Sequence, residues 1–389
     1  MTDIVILGGA RTAIGTFGGS LAGTPPIDLG ATVAKAAIDR AGIEPGRIGT
    51  VTFGHVINTE PRDMYLSRVA AMDAGVPDTV PAMNVNRLCG SGAQAIVSVV
   101  QSLQLNDAEF GLAGGAENMS RSPYILPAAR WGQKMGDAGS QDMMLGALTC
   151  PFGTGHMGVT AENVAGEHDI SRADQDAFAL ESQQRAARAI AEGRFRDQIV
   201  PVVLKTRAGE SHFDTDEHPK ATDLDKLGGL RPAFSKDGSV TAGNASGLND
   251  GAAALVLARA DAAGDLKPRF KVLGYALAGV RPEVMGIGPV PAVEALMKRT
   301  GLSVGDFDVI ESNEAFAAQA LAVSRALGFD ADKVNPNGGA IALGHPVGAT
   351  GAILTVKAMA ELDRIGGGTA LITMCIGGGQ GIALAIRSI

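Results

Sequence analysis

Aromatic residues are scarce: 12 Phe, 3 Tyr and a single Trp make up 4% of the 389 residues. A core without large rings has to be filled by layers that approach closely, and 53 glycines with 46% hydrophobic residues suit that. Cysteine is scarce too. Three in a long chain argue against a disulfide framework and for a reducing compartment. A basic excess is missing: 33 Lys+Arg against 41 Asp+Glu give a net charge of -8, which removes the electrostatic footprint of nucleic-acid binding. No apolar run approaches the ~20 residues of a membrane span. The opening Met1-Thr2-Asp3 puts an acid where a signal or transit peptide would be basic. These absences predict a soluble cytoplasmic enzyme of two or three packed units, with no nucleic-acid or membrane partner.

What is present is alternation. Asp3–Leu7 reads as a short buried strand closed by Gly8-Gly9, more a plain turn than a nucleotide loop. Ile27–Ala41 reads as a helix ended by Gly42, Thr50–Gly54 as a strand, Arg62–Ala74 as a helix, Val80–Asn86 as the central strand and Phe110–Ala116 as another strand. Such order predicts a layered α/β unit with a largely parallel sheet. Between Met119 and Leu248 the pattern breaks. Ser171–Ala191 is a clear helix with Ser171 and Asp174 as a capping box, whereas Lys205–Asp237 is polar and turn-rich. This stretch reads as an insertion that lies over the core and shapes a pocket. Alternation then resumes with strands at Ala252–Ala258, Phe270–Ala278, Asp308–Ser312, Thr369–Ile376 and Ile382–Ile386 and helices at Val290–Thr300, Glu314–Leu327 and Gly348–Leu362. Val85-Asn86 before Cys89 is echoed by Val334-Asn335 before His345, and Gly114-Gly115 by Gly377-Gly378-Gly379, which suggests two similar halves.

Four turns can carry chemistry. In Val85-Asn-Arg-Leu-Cys89-Gly-Ser-Gly92, Cys89 stands on a tight turn before an apolar helix. A helix N-terminus favours an anion, so the thiol's pKa is expected to fall and thiolate to be available at neutral pH. A small core residue is the alternative. Asn313-Glu-Ala-Phe316 and Gly344-His345-Pro-Val-Gly-Ala-Thr-Gly351 again put polar side chains where a strand runs into a helix, and Cys375-Ile-Gly-Gly-Gly379 puts a second thiol at a strand end. Taken singly, Asn313 could be a helix cap, His345 a satisfied turn histidine and Cys375 core. Together they stand where layered α/β folds build active sites.

These motifs, with Asn244-Ala-Ser246-Gly-Leu-Asn-Asp250, occur in one order along the whole chain, and in that order the chain resembles the thiolase superfamily. Thr59–Tyr65 and Pro127–Gly132 look most like bacterial short-chain β-ketothiolases. The resemblance implies duplicated βαβ halves forming a five-layer α-β-α-β-α core, the first being residues 1–118 with 249–268 and the second 269–389, with an inserted loop domain at 119–248. It implies a reversible Claisen condensation of acyl-CoA thioesters. Cys89 would be the acylated nucleophile, His345 its base and Cys375 the acid/base at carbon. Asn313 would hold a water that, with His345, faces the enolate oxygen, and the N–H groups of Cys89 and Gly377 would form a second oxyanion hole. Ser246, His156 and Met157 match positions along the pantetheine channel, with Phe234, Ala242, Ala315, Phe316 and Met285 nearby. Lys220 stands where several relatives have an arginine facing the CoA phosphates, giving the point charge without the bidentate fork. No metal or organic cofactor is expected beyond CoA thioesters as substrates. A homotetramer, a dimer of dimers, is expected, with Tyr124–Gly139 at the dimer–dimer contact. Two alternatives share the fold: a decarboxylating condensing enzyme of the ketoacyl synthase kind, which needs no second thiol, and a non-catalytic acyl-CoA or lipid carrier, which would have lost the reactive residues.

Overall fold

A computed structural model describes residues 2–206 and 209–389, so Met1 and the Arg207-Ala208 part of the polar stretch read above lie outside the described residues. The first strand, β1, does not stop at Gly8-Gly9. It spans Ile4–Arg11, with a register shift between Ile6 and Gly8 where the pair is absorbed into the ladder. There follow α1 (Pro26–Ala41, stopped by left-handed Gly42), β2 (Thr50–Gly54), α2 (Leu66–Asp73, entered through a tighter turn at Pro61–Tyr65), β3 (Ala82–Val85), α3 (Ser91–Gln104) and β4 (Phe110–Asn118). The inserted segment carries α4 (Met157–Glu167) and α5 (Arg172–Ala191), the latter with the Ser171/Asp174 capping box formed. Part of its polar stretch pairs as an antiparallel hairpin, Val202–Thr206 with Gly209–Phe213. Then come β5 (Asn249–Arg259), β6 (Phe270–Gly279), α6 (Pro289–Thr300), β7 (Val309–Ser312), α7 (Ala317–Leu327), α8 (Thr350–Ile365), β8 (Thr369–Ile376) and β9 (Gln380–Ser388).

The sheet runs β7-β8-β9-β6-β1-β5-β4-β2-β3, with Gly15–Thr16 as a short tenth strand on β5. Two expectations are corrected here. The sheet is not largely parallel: β2 pairs in parallel with β3 and β4, and β7 with β8, while every ladder between those wings is antiparallel. The reason is local. β8 and β9 are joined by Gly377-Gly378-Gly379, too short for a crossover, so they must form a hairpin. The strand before Cys89 is also not central, because β3 ends the sheet.

The two halves do share one plan. In the first, β3-β2-β4-β5-β1 lie side by side; in the second, a bridge at Val334 leads to β7-β8-β9-β6 with the same senses of pairing. Both halves meet through β1 and β6. α1 and α2 cover the outer face of the first half and α6 that of the second, with α7 packed on α6 and on the inserted α4 and α5, while α3 and α8 pack on each other between the halves. That gives five layers. Being covered on all sides, α8 is buried around nearly its whole circumference, and its one buried cation, Lys357, pairs with Glu311 at 2.7 Å. Arg11 anchors the insertion through two bonds to Asp216, 2.8 and 2.9 Å, with both side chains fully buried. Among the described residues no helix is long and apolar enough to cross a membrane.

Candidate active site

The turn between β3 and α3 is held in an unusual shape. Leu88 has φ +45°, a left-handed conformation that a side chain of its size rarely adopts. Its N–H donates to the Asn86 side-chain oxygen (2.9 Å), and its carbonyl accepts from the Ser91 hydroxyl (2.6 Å). Cys89 follows, half-buried, with its thiol facing the N–H groups of Gly377 and of Cys89 itself. Burial pushes the thiol's pKa up, those two N–H groups pull it down, and Glu117 adds an upward push; the net direction is up. This corrects the expectation of a thiolate favoured at neutral pH. The resting group is a thiol and needs a base.

His345 stands on the turn before α8. Its backbone N–H donates to the Asn249 side chain (2.9 Å), Nδ1 lies 2.7 Å from the Thr350 hydroxyl and Nε2 lies 3.4 Å from the Asn313 amide nitrogen. Burial lowers its pKa to about 4, so the ring is neutral and can accept a proton. Cys375 is the last residue but one of β8, almost fully buried. Burial first, and the neighbouring Cys89 second, raise its pKa far above the usual thiol range, so it holds its proton. Gly377 opens the following turn. A Cβ there would sit 3.2 Å from the Met157 methyl and 3.3 Å from Leu88 Cδ1, crowding the wall beside Cys89.

Asn313-Glu-Ala-Phe316 does not open a helix. α7 begins at Ala317, and the four residues turn through a bend at Ala315 that sets Phe316 against Asn244–Ser246, with Ser246 N–H donating to the Ala315 carbonyl and Ala317 N–H to that of Asn244. Glu314 explains this: its buried carboxylate accepts from the Ser182 hydroxyl (2.7 Å), Asn335 Nδ2 (2.9 Å) and Ile341 N–H (3.2 Å), an arrangement a helical turn could not reach. Burial raises its pKa. Asn313 itself is buried behind His345, with Oδ1 lacking a hydrogen-bond partner among the described residues.

Cys89, His345, Cys375 and Gly377 line one cavity of about 750 Å³, and Asn313 lies just outside its wall. All nine residues matched to the CoA channel line it as well. His156 and Met157 come from the start of α4, where His156 stacks on Phe234 (4.7 Å between rings) and Phe234 meets Phe316 edge-on at 6.1 Å. Ala242 and Ser246, Ala315, and Met285 form further walls, and Lys220 is exposed at the mouth. Residues the sequence did not single out also matter here. Leu88, Leu148 and His218 line the cavity, and burial, helped by Lys220, lowers the His218 pKa to about 4. Glu117 is buried and accepts from the N–H groups of Val56, Ile57 and Gly348, tying two loops beside Cys89 and His345. Thr350 and Leu88 were visible inside the quoted motifs; Glu117 and His218 carried no signal, since their partners are far away in the chain.

A thiol at a helix start, a neutral imidazole and a second buried thiol around one apolar cavity define an acyl-thioester enzyme. The thiolase N-terminal domain family matches residues 4–261 and the thiolase C-terminal domain family residues 266–388. The chain is 60% identical over 393 aligned residues to beta-ketothiolase BktB of Cupriavidus necator, covering 100% of this chain and 99% of that one. It is 49% identical to the acetyl-CoA acetyltransferase of Escherichia coli, covering 100% and 99%. The crystal structure of the Bacillus anthracis acetyl-CoA acetyltransferase superposes with TM-score 0.98 at 45% identity over 100% of this chain and 99% of the other. The human mitochondrial 3-ketoacyl-CoA thiolase in complex with CoA does so with TM-score 0.96 at 42% identity, over 100% and 98%. The chain belongs to the thiolase family and is an enzyme of that type.

Proposed function

We propose that this thiolase joins acetyl-CoA to a short acyl-CoA by Claisen condensation, and cleaves the resulting 3-ketoacyl-CoA by thiolysis. One observation supports the roles: Cys89, His345, Cys375 and Gly377 line one cavity, with the Gly377 N–H facing the Cys89 thiol. His345 Nε2 takes the Cys89 proton, and the thiolate attacks the thioester carbonyl of the first substrate. The oxyanion is held by the N–H groups of Cys89 and Gly377. The leaving CoA sulfur takes the Cys375 proton, turning an inert buried thiol into a base. That thiolate then removes the α-proton of acetyl-CoA, while Nε2–H of His345 and a water on Asn313 face the enolate oxygen. Carbon attack on the acyl-Cys89 carbonyl expels the Cys89 thiolate, which recovers its proton from His345, leaving the 3-ketoacyl-CoA and free CoA.

His156, Met157, Phe234, Ala242, Ser246, Met285, Ala315 and Phe316 would flank the pantetheine arm and Lys220 the phosphates. We assign the working form to a cytoplasmic homotetramer; three free cysteines fit a reducing compartment, and exposed Tyr124, Leu126, Trp131 and Met135 fit a subunit contact. The test is Cys89→Ala. Both directions should be lost, and acetyl-CoA should leave no acetyl adduct on the intact protein. Turnover of malonyl-CoA but not acetyl-CoA by the wild-type protein would favour a decarboxylating condensing enzyme instead.

A further inference from the structure

His345 can take a proton from Cys89 only if its lone pair lies on Nε2, so something must hold the ring hydrogen on Nδ1. The side chain in position to do so is Thr350, the first residue of α8, 2% exposed. Its hydroxyl lies 2.7 Å from Nδ1 and 2.9 Å from the Pro346 carbonyl. A hydroxyl has one proton to give. If that proton went to Nδ1, the ring hydrogen would sit on Nε2 and point at the Asn313 amide nitrogen, 3.4 Å away, which is itself a donor. If it goes to Pro346, the three ring contacts are matched: Nδ1–H donates to Thr350, Thr350 donates to Pro346, and the Asn313 amide nitrogen faces the Nε2 lone pair until the Cys89 proton takes it, with Asn313 Oδ1 alone left without a partner among the described residues.

We propose that Thr350 is the positioning residue that fixes the tautomer and tilt of His345, accepting a hydrogen bond from Nδ1–H throughout the cycle. When Nε2 takes the Cys89 proton, the S–H bond breaks, an N–H bond forms, and the ring gains a charge. Thr350 needs no rearrangement, because it already accepts from Nδ1 and its own proton already points away. The ring therefore does not turn between receiving the proton and presenting Nε2–H to an oxyanion. The same acceptor stabilises the charged ring over the neutral one, which strengthens the base in a site whose burial weakens it. Other titratable groups around the ring stay unchanged when Thr350 is altered: Cys89 and Cys375 across the cavity, Glu117 beneath the Gly348 N–H, and His218, which faces the same Asn249 side chain that holds the His345 backbone.

This inference rests on His345 being the base for Cys89. Thr350→Val keeps the shape and removes the hydroxyl. The acylation rate on acetyl-CoA should fall roughly 10²-fold, at the lower end of what a general base supplies, with KM little changed. The acid limb of the pH profile should move to lower pH, since loss of the acceptor disfavours the charged ring. Thr350→Ser should restore both rate and profile. A folded Thr350→Val enzyme with wild-type rate and profile overturns the inference, as does a Ser variant that binds CoA normally yet stays as slow as the Val variant. Nitrogen NMR on histidine-labelled wild-type enzyme, with His345→Gln to assign the signal, reads the tautomer without any Thr350 variant. A hydrogen on Nδ1 supports the inference and one on Nε2 overturns it. Wild-type acylation by His345→Gln would remove the base and with it the task of Thr350, even with the hydrogen found on Nδ1.

Discussion

Cys89 and Cys375 face one cavity, yet their surroundings suit them to different steps. Acyl transfer needs a thiol, a base and two N–H donors, all grouped around Cys89. Removing the α-proton of a thioester is harder and needs a second base at carbon, the place given to Cys375. Cys375→Ala should still form an acetyl adduct on Cys89, more slowly because the leaving CoA thiolate must take its proton from water instead of Cys375, while carbon–carbon bond formation falls by roughly 10²–10⁴-fold. Intact mass after mixing with acetyl-CoA, alongside an acetoacetyl-CoA assay, separates the steps. Absence of the adduct in the folded variant would mean that CoA cannot leave without the Cys375 proton. The raised pKa of Cys89 makes a second residue-level prediction. Its charged form is disfavoured in the folded protein, so the thiolate fraction is small at neutral pH and grows as pH rises. In a Cys150→Ser background, iodoacetamide labelling of Cys89 should keep accelerating above the pH at which free cysteine titrates. A plateau already reached at pH 7 would show that the helix N-terminus outweighs burial.

The separation of Cys89 and His345 is set by two helices. α3 starts just after Cys89 and α8 just after His345, and their first turns cross in the central layer. They can do so only because both turns carry glycine: a Cβ on Gly92 would lie 2.8 Å from the Ala352 nitrogen, and one on Gly351 would strike the Ala93 nitrogen. Gly351→Ala should cost about 1–3 kcal/mol, as overpacking does, and should also slow acylation by moving His345 from Cys89. Urea unfolding and the acylation rate check the two parts, and an enzyme of unchanged stability and rate would show that the crossing has slack. This also explains what was legible in the chain. Hydrophobic periodicity located Thr50–Gly54 and Thr369–Ile376 to the residue, since both are buried strands flanked by turn signals. The glycine-bearing turns could be read because their chemistry is local. Outside the Gly377–Gly379 hairpin, pairing sense could not, as it depends on which strands meet across long stretches of chain. The non-helical path of Asn313–Phe316 was hidden for the same reason, with Glu314 reaching Ser182, Asn335 and Ile341.

At the scale of the whole chain, each half is a sheet whose outer face is covered by its own helices and whose inner face shares α3 and α8, so neither half could bury its core alone. Two groups of exposed apolar side chains lie beside features suited to contact with another chain. β3 ends the sheet as an edge strand, beside exposed Met64, Tyr65 and Met83. An edge of that kind invites pairing with another chain. The second is the Tyr124–Gly139 stretch, where Trp131 and Met135 are each 89% exposed. Two separate apolar surfaces on one chain fit two different contacts, which is what a dimer of dimers requires. Light scattering should give a particle of about four times the 39.6 kDa chain mass. Replacing Trp131 and Met135 together by Ser should halve that mass and leave the edge contact, and with it acylation of Cys89, in place. A fourfold particle that survives the double substitution would move the second contact elsewhere on the surface. A wild-type particle of single-chain mass would remove both.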